Sequence, residues 1–257
     1  MLKKINICQI SDVHFEYGKK RQFATIDTSK RFLKTVKFCN NLKPQPDIYI
    51  FSGDLINDKP EYYSQFFQIA KKLKKPFYLM MGNHDNRKAL KKIIKNKKLI
   101  DNKGYINFTI KKFPIRIIAL DSVISNQAKG KITINTYNWL KKELNRDLLK
   151  PTIIFMHHPP INIGSKIFDS IKCLNGNQLL NLTSKYNNIL KIVFGHVHCK
   201  FGKIYKKQKL LSCPSSVFQI PINSDKKKKI KFRYQGYIQI YNWDIKKRFS
   251  TKTLKII

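Results

Sequence analysis

The sequence predicts an α/β fold with a largely parallel central sheet, and two observations carry the prediction. Short, almost continuously apolar strand candidates alternate with amphipathic helical stripes along most of the chain. Towards the C-terminus this changes, and strand candidates follow one another without helices between them, which predicts antiparallel pairing that completes a second sheet. With 257 residues, 42% of them hydrophobic and 12% aromatic, the chain suits one large folded domain spanning residues 1–257.

The first strand is expected at Ile5–Ile10. Its segment, MLKKINICQISD, has only a short apolar stretch with Asn6 and Gln9 inside it, so it reads as a strand and not as a secretion signal. Further strands are expected at Asp47–Phe51, Phe77–Met81, Ile115–Leu120, Ile153–Met156 and Leu190–Phe194, each apolar enough to be covered on both faces. Between them, Ser29 is read as the cap of a helix with Phe32, Leu33, Val36 and Cys39 on one face. Phe66, Ile69, Ala70 and Leu73 form a second stripe. A third helix begins at Thr136, with Trp139, Leu140, Leu144 and Leu148 inward and Glu143 outward, and a fourth runs from about Asn177 to Tyr186. The tail strands are Lys203–Tyr205, Leu210–Cys213, Tyr237–Trp243 and Phe249–Leu254, and Ile220–Phe232 reads as an exposed loop.

Charge is the unusual feature: 52 Lys and Arg stand against 15 Asp and Glu, a formal net charge of +37. Such a field attracts polyanions. The excess is nearly all lysine, dispersed in short pieces such as KKLKK beside abundant Asn and Ile, a pattern that favours compositional drift over a nucleic-acid footprint. No apolar run approaches the roughly 18 residues that span a bilayer. The five cysteines, odd in number and without CxxC spacing, read as reduced thiols of a cytoplasmic protein.

The chemistry sits at strand ends. Five strands run into Ser11-Asp12-Val13-His14, Ser52-Gly53-Asp54, Gly82-Asn83-His84-Asp85, His157-His158 and Gly195-His196-Val197-His198. Open α/β sheets bind ligands at that carboxyl edge. One aspartate after a strand is usually a turn or helix cap, but five such endings together are poorly explained that way. Aspartate, histidine and a side-chain amide make a nitrogen and oxygen donor set suited to Mn, Fe or Zn. The candidate ligands outnumber what one ion needs, so two ions sharing a carboxylate is the economical arrangement. Strand periodicity lets Asp12 with His14, and His196 with His198, project to the same side.

These blocks, in this order, resemble the calcineurin-like metallophosphoesterases: Asp12-Val-His14, Gly53-Asp54, Gly82-Asn83-His84-Asp85, His157 and Gly195-His196-Val-His198. SDVHF, SGDLIND followed by Tyr62-Tyr63, LDS at 120–122, HHPP at 157–160 and CPSSVFQI at 213–220 are more narrowly similar to the class III cyclic-nucleotide phosphodiesterases, the bacterial cyclic-AMP branch. The resemblance implies a four-layer α-β-β-α sandwich of two mixed β-sheets flanked by helices, with the metal site at the carboxyl ends of the strands.

It also implies roles. Asp12, His14 and His198 would hold one divalent ion, Asn83, His157 and His196 a second, and Asp54 would bridge them. Fe²⁺ and Mn²⁺ are the expected ions, with Zn²⁺ as the alternative. His84 would be the catalytic proton donor, and His14, Asp54, Asn83, His84 and His198 would meet the substrate. The implied reaction is hydrolysis of 3′,5′-cyclic AMP or another cyclic nucleotide to the 5′-monophosphate by a hydroxide bridging the ions. Asp85 is read as the cap of the next helix, His158 as packing behind His157, Asp58 and Asp121 as loop and turn residues, and Cys199 as an ordinary loop residue. Two other readings stand beside this one: a phosphomonoesterase or broad-specificity phosphodiesterase of the same superfamily, and a basic nucleic-acid-binding protein with a vestigial metal site. The favoured reading needs no specific nucleic-acid partner and leaves a homodimer open.

Overall fold

Alternate residues of the central strands serve different layers, and this alternation builds the molecule. In the second sheet Ile117, Ala119, Ile153, Phe155 and Val193 join the apolar cluster shared with the first sheet. Their strand neighbours Ile118, Ile154, Ile192 and Phe194 join a separate cluster with helix residues Leu140, Leu144, Leu179 and Leu180. A strand buried on both faces is therefore apolar at every position, as the sequence led us to expect.

The computed structural model describes residues 4–18, 26–94, 96–223, 232–246 and 248–257. Its strands are β1 (Lys4–Ile10), β2 (Ile48–Phe51), β3 (Phe77–Leu79), β4 (Phe108–Ile110), β5 (Arg116–Ala119), β6 (Thr152–Phe155), β7 (Ile189–Phe194), β8 (Gly202–Tyr205), β9 (Gln208–Ser212), β10 (Tyr237–Asp244) and β11 (Arg248–Lys255). The helices are α1 (Thr28–Asn40), α2 (Tyr62–Ala70), α3 (Arg87–Ile93), α4 (Ile134–Asn145), α5 (Lys166–Ser170) and α6 (Gly176–Thr183). One sheet has the order β11-β10-β1-β2-β3, the other β4-β5-β6-β7-β9-β8. Both are mixed: β1, β2 and β3 run parallel, as do β5, β6, β7 and β9, while β10, β11, β4 and β8 are antiparallel to their neighbours.

The tail divides between the sheets and does not complete only one. β9 adds to β7 in parallel, whereas β10 returns to pair with β1, Ile5 opposite Trp243. On the outer face of the first sheet Phe32 of α1 stacks on Phe66 of α2 at 4.9 Å, with the Phe51 ring edge-on to Phe66 at 5.6 Å. Between the sheets Phe155 meets the Tyr241 ring at 5.9 Å. Gln9, the polar residue inside the first strand, is buried there, donating to Ser52 Oγ at 2.8 Å and accepting from Tyr241 at 2.6 Å.

Several local expectations change. Asp27, not Ser29, caps α1, its carboxylate accepting the Lys30 amide at 3.0 Å. Thr133 caps α4, so that helix starts before Thr136 and ends before Leu148, which is 60% exposed. Glu143 is buried and not outward, because Lys111 reaches it at 3.2 Å and Arg146 also pairs with it. β4, α3 and α5 are short and lack a clear stripe, which is why periodicity missed them. The lysine run Lys226–Lys229 lies outside the described residues. All five cysteines are free. No helix among the described residues is long and apolar enough to cross a membrane.

Candidate metal centre

The carboxyl ends of β1, β2 and β3 in one sheet meet those of β6 and β7 in the other, and every sequence-predicted ligand lies in the loops just beyond. β1 stops at Ile10 and β7 at Phe194, so strand periodicity is not what aims the side chains. Instead Asp12, His14, Asp54, His196 and His198 all have left-handed backbone, with φ of 52°, 43°, 50°, 70° and 49°. That conformation costs an L-residue about 1–3 kcal/mol, and such strain concentrates at functional sites. Hydrogen bonds between the loops hold it: Asp12 N–H donates to Gly53 O at 3.2 Å, His14 N–H to Asp54 O at 2.9 Å, and Gly195 N–H to His157 O at 3.1 Å.

The glycines act in two ways. Gly53 needs its φ of 100°. Gly82 is needed for space, since a Cβ there would stand 2.1 Å from Asp54 Oδ1 and 2.2 Å from Asp54 N.

Two groups of donors result. Asp12, His14, Asp54 and His198 form one buried cluster in which a ligand atom of each lies within 4.8 Å of the others. His14 Nε2 faces His198 Nε2 at 3.0 Å, Asp12 Oδ1 is 3.6 Å from His198 Nε2, and Asp54 Oδ2 is 3.5 Å from His14 Nε2. His157, His158 and His196 form the second cluster. There His157 Nε2 lies 3.4 Å from the same Asp54 Oδ2 and 3.2 Å from Asn83 Oδ1. One carboxylate oxygen thus stands between a histidine of each cluster.

His158 is not available as a donor. Its ring nitrogens sit 2.8 Å from Ser122 Oγ and 3.1 Å from Ala128 O, and it packs beside His157 as the sequence reading expected. Val197, between the two forked histidines, is buried in the apolar cluster under the helices.

His84 stands apart at the mouth. Its ring lies edge-on to His14 at 4.8 Å, its backbone N–H donates to Asp54 Oδ1 at 3.0 Å, and its Nδ1 is 2.8 Å from Asp58 Oδ1. Beside it opens a cleft of about 890 Å³, lined by Asn83, His84 and Asp58, by Arg87 and the lysines of α3, and by the loop Ser125–Ala128.

Burial dominates the electrostatics. It lifts the Asp12 carboxyl to about 7, with the Asp54 charge adding to the rise. It also works to raise Asp54, but the imidazoles of His157, His84 and His14 overcome it and hold that carboxyl well below the usual range. Burial lowers His14 to about 4 and drives His196 and His198 well below the ordinary value, the neighbouring imidazoles adding to it. For His84 burial is outweighed by the Asp54 and Asp58 carboxylates, and its pKa rises. For His157, too, burial is outweighed by the Asp54 and Asp12 carboxylates, and its pKa rises to about 9. Buried carboxylates and imidazoles converging on two points are a donor set for cations. His196 Nε2 is, moreover, a buried polar atom with no hydrogen-bond partner. The residues therefore fit two divalent metal ions.

Three supporting aspartates differ from expectation. Asp58 is no plain loop residue, because it holds His84. Asp85 caps nothing: Asn86 caps α3, while Asp85 accepts from Gly82 N–H at 2.9 Å, Leu55 N–H at 3.2 Å and Tyr63 OH at 2.9 Å. Asp121 is more than a turn residue, since it forms a bidentate pair with Arg87 at 2.9 and 3.0 Å. Asn57, 3.4 Å from His14 Nδ1, and Phe218, whose ring lies 4.6 Å from His198, were not anticipated. Their only sequence signal is their place inside SGDLIND and CPSSVFQI.

A chain with two mixed sheets flanked by helices and two donor clusters at their shared edge has the architecture of a metal-dependent phosphoesterase. The chain belongs to the calcineurin-like phosphoesterase family, whose model matches residues 5–200. It is 32% identical over 250 residues to a probable glycerophosphodiester phosphodiesterase of Arcobacter nitrofigilis, covering 96% of this chain and 92% of that one. It is 28% identical over 225 residues to a 3′,5′-cyclic-nucleotide phosphodiesterase of Nostoc sp., covering 86% of this chain and 81% of that one. In fold it is similar to a dimetal phosphatase from Danio rerio, with a TM-score of 0.71 at 12% identity, covering 98% and 99% of the two chains.

Proposed function

We propose that this chain is a binuclear-metal phosphodiesterase acting on small phosphodiesters. The observation that carries the reading is the sharing of Asp54 Oδ2 between His14 Nε2 and His157 Nε2, at 3.5 and 3.4 Å. Asp12, His14 and His198 would hold one ion and Asn83, His157 and His196 the other, with Asp54 placed to serve both. Fe²⁺ and Mn²⁺ are the proposed ions, with Zn²⁺ as the alternative. When bound, two such cations would supply Lewis acidity toward the phosphoryl oxygens and water.

The chain's own residues do the rest. His84, held by Asp58 through Nδ1, presents Nε2 to the ester oxygen that leaves and gives it a proton as the P–O bond breaks. Water supplies the new oxygen on phosphorus, so the products are a phosphomonoester and an alcohol. The cleft beside His84 takes the leaving arm of the substrate.

Glycerophosphodiesters are the favoured substrates. The Arcobacter relative matches 96% of the chain at 32% identity, and the described residues lining the cleft include Arg87 and the α3 lysines but no Phe, Tyr or Trp on which a purine could stack. Cyclic AMP and other 3′,5′-cyclic nucleotides are the second reading, favoured by the Nostoc relative. Steady-state assay of the metal-loaded protein on glycerophosphoethanolamine, cyclic AMP and a mono-aryl phosphate separates these. The highest kcat/KM is expected on the first. Turnover of the monoester alone would overturn it.

A further inference from the structure

A second cavity, of about 600 Å³, opens at the opposite end of the sheets, between the start of β7 and β9 and the β10–β11 turn. Its size falls in the range of about 300–1,000 Å³ typical of small-molecule sites. Lys191 lines it with Lys207, Lys209, Trp243 and Phe249. Lys191 is 4% exposed and pairs in register with Lys209 on the neighbouring strand. Its amine stands 5.1 Å above the Phe249 ring and has no hydrogen-bond or ion-pair partner among the described residues. The single carboxylate among the described residues lining the cavity, Asp244, accepts the Lys246 amide at 2.8 Å. Burial and the Lys209 ammonium both disfavour the charged amine and lower its pKa to about 8.

The Lys191 stem is buried while its ammonium reaches the cavity, where no anion among the described residues meets it, and a partly enclosed charge of this kind is ordinarily paired. Surface lysines are common in this chain, but one on a central strand, with its amine over the Phe249 ring and facing a cavity that Trp243 also lines, is not explained by composition. We propose that this cavity is a ligand site distinct from the metal centre, for a planar aromatic anion. Its anionic group meets Lys191 and Lys209, and its ring lies against Trp243 and Phe249. A bare inorganic anion would satisfy the amine but leave the aromatic walls facing water, so an anion carrying a ring is the better fit. Trp243 pairs with Ile5, five residues before the end of β1 and so roughly 16 Å along the strand from the edge that carries the metal ligands.

The test uses Trp243 as the reporter. The chain has two tryptophans, so Trp139→Phe leaves only this one. The metal-loaded variant is titrated with adenosine 5′-monophosphate, with benzoate and with inorganic phosphate, following tryptophan fluorescence. The expected result is a saturable change with an aromatic anion at a concentration about tenfold below that of phosphate. A response to the nucleotide alone identifies a nucleotide site, and a response to both aromatic anions a general aromatic-anion site. Adding Lys191→Met, which keeps the apolar stem, should weaken binding by about tenfold or more. Lys209→Ala changes only an exposed side chain and should weaken it by about threefold. The proposal is overturned if no titrant gives a saturable change, if phosphate binds as tightly as the aromatic anions, or if the Lys191→Met protein titrates unchanged.

Discussion

Asp58 holds the His84 ring by its Nδ1 at 2.8 Å, from a loop position with a left-handed φ of 62°. With Nδ1 engaged, Nε2 is the ring nitrogen left for the proton transfer proposed for His84. Neither Asp58 nor His84 belongs to the two donor clusters, so Asp58 acts on the site through His84, as a positioning residue. Asp58→Ala should lower kcat on a phosphodiester by about 10–100-fold, with KM and metal content little changed. Asp58→Asn, which can still accept from the ring, should recover part of the loss. An equal fall in metal content would show that Asp58 supports the fold and not the proton donor.

His196 and His198 are separated by a single residue, Val197, but lie in different clusters. Replacing either with alanine should therefore remove about one of the two metal ions and spare the other. Elemental analysis of the equilibrated variants checks this. Loss of both ions from each variant would contradict the fork.

Gly82→Ala places a methyl group 2.1 Å from Asp54 Oδ1 and 2.2 Å from Asp54 N, and the backbone contact cannot be relieved by rotating a side chain. The variant should lose about 1–3 kcal/mol of stability, together with metal affinity. Gly164→Ala is the control: its φ of 89° is strained for alanine but nothing lies within 4 Å. It should cost about 1 kcal/mol and leave metal binding intact. Thermal melts with parallel metal analysis compare the two.

Strand positions were legible because a strand buried on both faces leaves an apolar run such as IYIF at Ile48–Phe51, whatever its partners. Which sheet a tail strand joins was not, because β10 could satisfy its hydrogen bonds on any open edge and only the packed structure selects β1. The donors were legible through their common place after strands. The cause of their convergence was not, since a left-handed backbone at Asp12 or His196 leaves no mark that propensity can read. Asp58 and Asp85 differ from expectation for a related reason: in a sequence, a loop carboxylate looks the same whether it caps a helix or braces a histidine ring or a loop.

Lys191 makes a separate prediction. Its pKa, lowered to about 8 from an ordinary 10.5, means that below pH 8 the folded protein carries the full cost of a charge the unfolded chain hydrates freely. Between pH 8 and 10.5 the unfolded chain binds more protons than the folded one, so stability rises with pH through that window. With the charge partly screened by solvent, Lys191→Met should accordingly be more stable than the parent by on the order of 1 kcal/mol at pH 7, a difference that shrinks as pH rises toward 10.5. Urea unfolding of both proteins at pH 7 and pH 10 reads it, and a gap that does not shrink with pH contradicts the assignment.

The most direct test of the binuclear reading is a titration of metal-stripped protein with Mn²⁺, following hydrolysis of a bis-aryl phosphate beside a mono-aryl phosphate. The account predicts diester turnover that reaches its plateau near two equivalents of metal, monoester turnover at least about tenfold lower, and loss of both in Asp54→Ala. Full diester turnover at one equivalent, or in the Asp54→Ala protein, would contradict it.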